Sequence, residues 1–215
     1  MPFAAHNSPL KHVFLEGNNK YMRKSGPSYH SCSSKVPFVG TGDLTMVDYE
    51  NTSICFVVKS SANKATGKIA AEGGCRLYFL GDSNWNGVVV ANGKVELASS
   101  VSDSSATHDS PVTVAFAKLD LQADFPVKVW KGEEGKITGN DTLNVGEYIN
   151  NGGCLVPELA GEGEFVLGDK IVVGEIGDSS PLPRVAKGWS VSRKTIDGKS
   201  MLMLSKGVGF LMIVR

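Results

Sequence analysis

The sequence predicts an all-β protein made of β-barrel or β-sandwich modules with an extended N-terminal arm, and three observations predict it. Apolar runs are short, each closes at a Gly, Asn or acidic turn, and no stretch is long and periodic enough for a helix. The 25 glycines and 9 prolines are dispersed without a collagen-like period, as in a turn-dense β protein. At 215 residues and 41% hydrophobic content, the chain can bury a core without disulfides or metals.

Residues 1–36 read as the arm. Pro2, Pro9 and Pro27, three of the four histidines and many Ser, Asn and Lys leave few apolar residues beyond Phe3, Val13, Phe14 and Leu15. Residues 37–110 read as a first β unit, with strands expected at 45–49, 54–59, 68–71, 75–80, 87–91 and 94–98, and a tight hairpin turn at Ala91-Asn92-Gly93-Lys94. The Ser-rich stretch 99–110 is expected to be a mobile loop or link.

Residues 111–215 read as a second β unit containing a barrel at 125–176 and a C-terminal hairpin. Val127, Val129 and Ile137 flank a turn at Gly132-Glu133-Glu134-Gly135, Asn150-Asn151-Gly152-Gly153 is a turn, and Cys154-Leu155-Val156-Pro157 is a strand ended by proline. The hairpin is expected to set residues 201–204 against 208–214 across Ser205-Lys206-Gly207. Its runs are apolar on successive residues, so both faces need a cover.

Charge excludes some classes and singles out candidate partner contacts. Lys plus Arg and Asp plus Glu are both 22, which argues against a nucleic-acid coat. The distribution is uneven: residues 1–35 carry a net +4, 132–178 a net −8 and 184–215 a net +6. Lys20, Arg23 and Lys24 of the basic arm, with Phe210, Leu211 and Ile213 of the apolar end, are therefore the candidate partner-binding residues. No 18-residue apolar run or signal-type h-region occurs, so synthesis in a reducing cytoplasm, away from membranes, is expected. Cys32, Cys55, Cys75 and Cys154 lack a C-x-x-C pair.

Motifs for chemistry fail on spacing. Gly198-Lys199-Ser200 has Arg193 where a phosphate loop needs its first glycine, and Gly161-x-Gly163 lacks the third glycine of a dinucleotide site. Asp82-Ser83-Asn84-Trp85-Asn86-Gly87 opens like a calcium loop, but the twelfth position is Gly93 in place of a bidentate Glu, so a β-turn on Asn86-Gly87 is expected. His108-Asp109-Ser110 is no triad, because sequence neighbours point apart in an extended chain. The acids between Glu158 and Asp169 offer no spacing that selects a catalytic pair. No catalytic residue, metal or cofactor is expected.

The phrases Val145-Gly146-Glu147-Tyr148-Ile149 and Leu167-Gly168-Asp169-Lys170-Ile171-Val172, with the Gly-rich turn between them, carry a resemblance. In their order, residues 125–176 resemble the small β-domain of capsid decoration (cement) proteins of tailed bacteriophages, over about a quarter of the chain. The resemblance implies a non-enzymatic virion protein on the capsid surface that clamps neighbouring subunits of its partner, the major capsid protein, and associates as a homo-oligomer. An alternative is a tail or fibre β-module binding a carbohydrate receptor through Trp85, Trp130 or Trp189. A third is a β-barrel hydrolase using carboxylates.

Overall fold

The computed structural model describes residues 11–23, 31–34, 36–48, 55–102 and 105–207, and every regular element in them is a strand. In chain order these are β1 (Val13–Leu15), β2 (Asn18–Arg23), β3 (Ser31–Ser34), β4 (Phe38–Gly40), β5 (Asp43–Asp48), β6 (Cys55–Val58), β7 (Ile69–Gly73), β8 (Arg76–Leu80), β9 (Ser83–Ala91) and β10 (Val95–Ala98). There follow β11 (Ser100–Ser102), β12 (Ser105–Thr107), β13 (Thr113–Leu121), β14 (Phe125–Lys131), β15 (Ile137–Asn140), β16 (Thr142–Asn150), β17 (Leu155–Leu159), β18 (Lys170–Glu175), β19 (Trp189–Ile196) and β20 (Lys199–Lys206).

Most of these strands pair in parallel with a strand one coil away in the chain, not with a sequence neighbour. Asn18 lies opposite Asp43, Leu44 opposite Ile69, Ile69 opposite Val89, and Val114 opposite both Ser83 and Leu143. The expected barrels and sandwiches are therefore replaced by a solenoid of stacked coils. Its first face holds β1, β4 and the starts of β9, β13 and β16. The second is the sheet β16-β13-β9-β7-β5-β2, and the third carries β10-β8-β6-β3 and, further along, β14-β17. Short strands with Gly and Asn turns look alike in hairpins and in coils, which is why local pattern gave the class and missed the architecture.

Alternation of inward and outward residues is plain in β14, where Phe125, Val127 and Val129 are buried and Pro126 and Lys128 are half-buried. One contiguous core runs from Leu15 and Phe38 through Trp85, Phe116 and Leu143 to Leu204. The boundary expected near Pro111 falls inside the second-face sheet, since β13 pairs with β9 before it. The expected arm is likewise part of the stack over 11–23 and 31–34: β1, β2 and β3 pair with β4, β5 and β6, and Leu15 is buried.

Each coil turns from the first face to the second at a small residue. A Cβ on Gly42 would stand 2.6 Å from the Glu16 nitrogen, on Gly67 2.2 Å from the Gly42 oxygen, and on Gly87 1.9 Å from the Gly67 oxygen. Further along, a Cβ on Gly146 would stand 2.6 Å from the Ala117 oxygen and one on Gly177 2.1 Å from the Gly146 oxygen. Backbone passes directly over backbone at this corner, so a side chain is excluded. Ala117 is accommodated because the β13–β9 register shifts between Phe116 and Lys118.

Another corner is held by buried amides. Asn63 Oδ1 accepts from the Phe38 nitrogen (2.9 Å), while Nδ2 donates to the oxygens of Ser60 (2.9 Å) and Asn84 (2.8 Å). Asn84 returns the bond, Nδ2 donating to the Asn63 oxygen at 2.9 Å and Oδ1 accepting the Asn63 amide at 3.0 Å. Three coils are thereby tied through side chains whose polar groups are all satisfied.

The stack ends at an antiparallel sheet, β18-β20-β19, laid on β16. Its hairpin turns at Asp197 (φ 50°) and Gly198 (φ 76°), the paired left-handed residues of a two-residue turn. Gly198-Lys199-Ser200 is thus a hairpin end. Met201, Leu202, Met203 and Leu204 belong to β20, which pairs with β18 and β19; the 208–214 half of the expected hairpin lies outside the described residues. Arg193 clasps the cap to the preceding loop by donating to the oxygens of Asp178 (2.6 Å), Gly177 (3.1 Å) and Ser180 (2.5 Å).

Other local expectations divide. The hairpin around 132–135 is present as β14–β15, with Gly135 at φ 69°. The hairpin at Ala91-Asn92-Gly93-Lys94 is absent: that segment is a coil corner, and β10 pairs in parallel with β8. Pro157 sits inside β17 and is buried there. Residues 83–87 form part of β9, so the expected β-turn is absent; of the calcium-loop ligand positions Asp82, Asn84 and Asn86, the Asn84 amide is already engaged, its Oδ1 accepting from the Asn63 amide and its Nδ2 donating to the Asn63 oxygen and to Asn86 Oδ1.

Candidate binding cleft

The third face carries a parallel ladder that breaks between β10 and β14, which belong to different sheets. At the break the chain leaves the coil as the β11–β12 hairpin and returns through Thr107 and His108. What remains open is a cleft of about 290 Å3, lined by Tyr78 and Glu96 on one side, Thr107 and His108 in the middle, and Lys128 and Glu158 on the other. Glu96 lies opposite Tyr78 in the β10–β8 ladder and Lys128 opposite Glu158 in the β14–β17 ladder, so both rows face outward on adjacent strands about 4.8 Å apart.

The floor is anchored by Asp141, whose side chain is 0% exposed. Its Oδ1 accepts from His108 Nε2 (2.8 Å) and the Val112 amide (3.2 Å), and its Oδ2 from the Lys128 amide (2.8 Å). A buried carboxylate needs such donors, and three bonds from three segments fix the return of the excursion against β14. Because a carboxylate only accepts, Nε2 carries the hydrogen of this bond. The ring also meets Trp130 edge-on at 5.7 Å between centroids. Lys128 Nζ donates to the His108 oxygen at 3.4 Å, and Glu96 is ion-paired with Arg76. The Glu158 carboxylate is exposed, with no ion pair among the described residues.

The sequence-predicted site residues are not brought together here. Lys20 is exposed on β2 and Arg23 ends that strand; Lys24, Phe210, Leu211 and Ile213 lie outside the described residues. Of the aromatic platforms, Trp85 is 0% exposed and donates Nε1–H to the Gly67 oxygen at 2.9 Å, so it is core. Trp189 stacks edge-on against Phe165 at 4.8 Å under Lys206. His108 does find a carboxylate, but that of Asp141, 33 positions on, whereas Asp109 accepts from Ser99 Oγ at 2.5 Å. Among the acids from Glu158 onward, Asp169 is paired with Lys131 at 2.6 Å, leaving Glu158 for the cleft. Among the described residues no group of three or more His, Cys, Asp or Glu could hold a metal ion.

Comparison with protein-family models, with curated proteins and with solved structures found no match.

Proposed function

We propose that this chain is a structural protein, the rod-like body of a fibre-type appendage, whose task is to hold a surface at a distance and display it. The observation that supports this reading most is the column of small corner residues, glycine at every named corner except Ala117, which lets coil stack on coil in one direction until the antiparallel cap closes that end. Such quasi-one-dimensional stacking makes length and stiffness from repeated short-range contacts.

Immunogold labelling of the source particles or cells, with antibody raised against the whole chain, tests the reading. Label along projecting filaments is expected. Label spread over shell faces in fixed ratio to a major capsid protein would replace this reading with the subunit clamp that the decoration-protein resemblance implies. Label only in the soluble fraction would overturn both.

A further inference from the structure

We propose that the cleft between β10 and β14 binds a neutral saccharide of one or two rings, a role that goes beyond a purely structural rod. Position is the first support. In a stack of coils, insertions that project from one side form the functional face. Three leave this solenoid in succession, all directly after a third-face strand: the excursion after β10, the β14–β15 hairpin, and the loop between β17 and β18. The last two are tied together, since Lys131 of the hairpin strand donates to the Glu164 oxygen at 3.1 Å and pairs with Asp169. The cleft lies at the root of the first.

Chemistry is the second support. Ring hydroxyls both donate and accept, so a saccharide site needs acceptors and donors side by side with an apolar surface for the ring face. The cleft offers the Glu96 and Glu158 carboxylates as acceptors, the Lys128 ammonium as donor, and Tyr78 with Pro126 as apolar surface. Counting Arg76, which is paired with Glu96, two carboxylates face two cations, so the site has no net positive charge to draw phosphorylated, sulfated or uronate ligands. A volume of about 290 Å3 is at the small end of ligand pockets, which admits a short saccharide and excludes a folded partner. The Asp141 bonds beneath it mean that His108 and the Lys128 wall are set before any ligand arrives.

The test is a titration of the whole 15N-labelled chain with lactose, maltose, cellobiose and N,N′-diacetylchitobiose, each taken to about 10 mM, tenfold above a millimolar Kd. At least one sugar is expected to give saturable amide shifts confined to the neighbourhood of Glu96, His108, Lys128 and Glu158. Glu158→Gln, at an exposed side chain whose loss leaves the fold intact, should weaken that binding about fivefold or more, while Lys136→Ala on the distant hairpin turn should not. Heparin disaccharide serves as the anionic arm and should give no cleft shifts. Absence of saturable cleft shifts with all four sugars overturns the proposal, as does tighter binding of the heparin disaccharide or equal binding by Glu158→Gln.

Discussion

Replacing Gly87 by Ala tests the corner column directly. The new methyl would stand 1.9 Å from the Gly67 oxygen and 2.6 Å from the Thr66 carbonyl carbon, both backbone atoms that no rotamer change can move away. Real Cβ contacts essentially never fall below 3.0 Å, so the coils must part locally by at least 1.1 Å. The Gly67 oxygen also accepts the Trp85 indole N–H at 2.9 Å, and Trp85 is fully buried. Overpacking of this kind costs about 1–3 kcal/mol, and stranding a buried donor costs about 1–3 kcal/mol more. Taking about 4 kcal/mol as the centre, Tm should fall by about 8–16 °C for a chain of this length. Gly161→Ala is the control, because its Cβ would meet nothing within 4 Å, and it should stay within about 0.5 kcal/mol of the parent. Thermal melts followed by far-UV circular dichroism read both. A Gly87→Ala protein that melts with the parent would refute the close-stacked corner.

Asp141→Ala should be among the most destabilising single changes, about 3–5 kcal/mol in urea unfolding, because it strands the Val112 and Lys128 amides together with His108; a cost under about 1 kcal/mol would contradict the bonding described. The Tyr148 hydroxyl is buried without a hydrogen-bond partner among the described residues, so Tyr148→Phe should be neutral or stabilising by up to about 1 kcal/mol. Burial also raises the Tyr148 phenol well above its ordinary value of 10.0, so the folded state holds a proton that the unfolded state releases, and this stability is lost as pH rises above about 10. Melts at about pH 9 and pH 11 should show a smaller alkaline loss for Tyr148→Phe than for the parent, and equal losses would count against it. In Arg193→Lys one ammonium cannot reach the three carbonyls now held, so amide exchange in β19 and β20 should quicken about tenfold, the equivalent of about 1.4 kcal/mol; unchanged exchange would show the clasp to be idle.

The strands themselves were legible because burial in a pleated strand writes itself into adjacent residues. Residues 75–80 and 94–98 are close to β8 and β10, and the turn at 132–135 was placed correctly. Pairing was not legible by the same means. Whether β9 pairs with β10 or β8 pairs with β10 depends on residues about 20 apart, and a Gly-containing corner and a hairpin turn share their composition. The Asn63–Asn84 staple and the His108–Asp141 bond join residues 21 and 33 positions apart, beyond any local motif. At 197–198 the local signal does suffice: Asp-Gly is a two-residue hairpin signal, and that turn, not a phosphate loop, accounts for Gly198-Lys199-Ser200.

One signal of the solenoid does stand in the sequence, and it accounts for the cleft as well. Corner residues Gly17, Gly42, Gly67, Gly87, Ala117, Gly146 and Gly177 recur at unequal intervals, the shortest being the 20 positions from Gly67 to Gly87. That interval holds only β7, β8, the start of β9 and the turns between them, so it is the bare coil. From Gly87 to Ala117 there are 30 positions, and the surplus matches the excursion at 99–110. The next two intervals, 29 and 31, hold the β14–β15 hairpin and the loop after β17. An insertion forces the chain off the third face before the coil closes, and in the first case it carries the ladder with it, since β14 and β10 no longer bond. The unpaired strand edges left by that break would invite aggregation if bare, and Asp141 draws His108 across the gap to cover part of them. What the excursion does not cover is the cleft, so the same ten or so surplus residues that hide the repeat from sequence also create this polar opening on the third face.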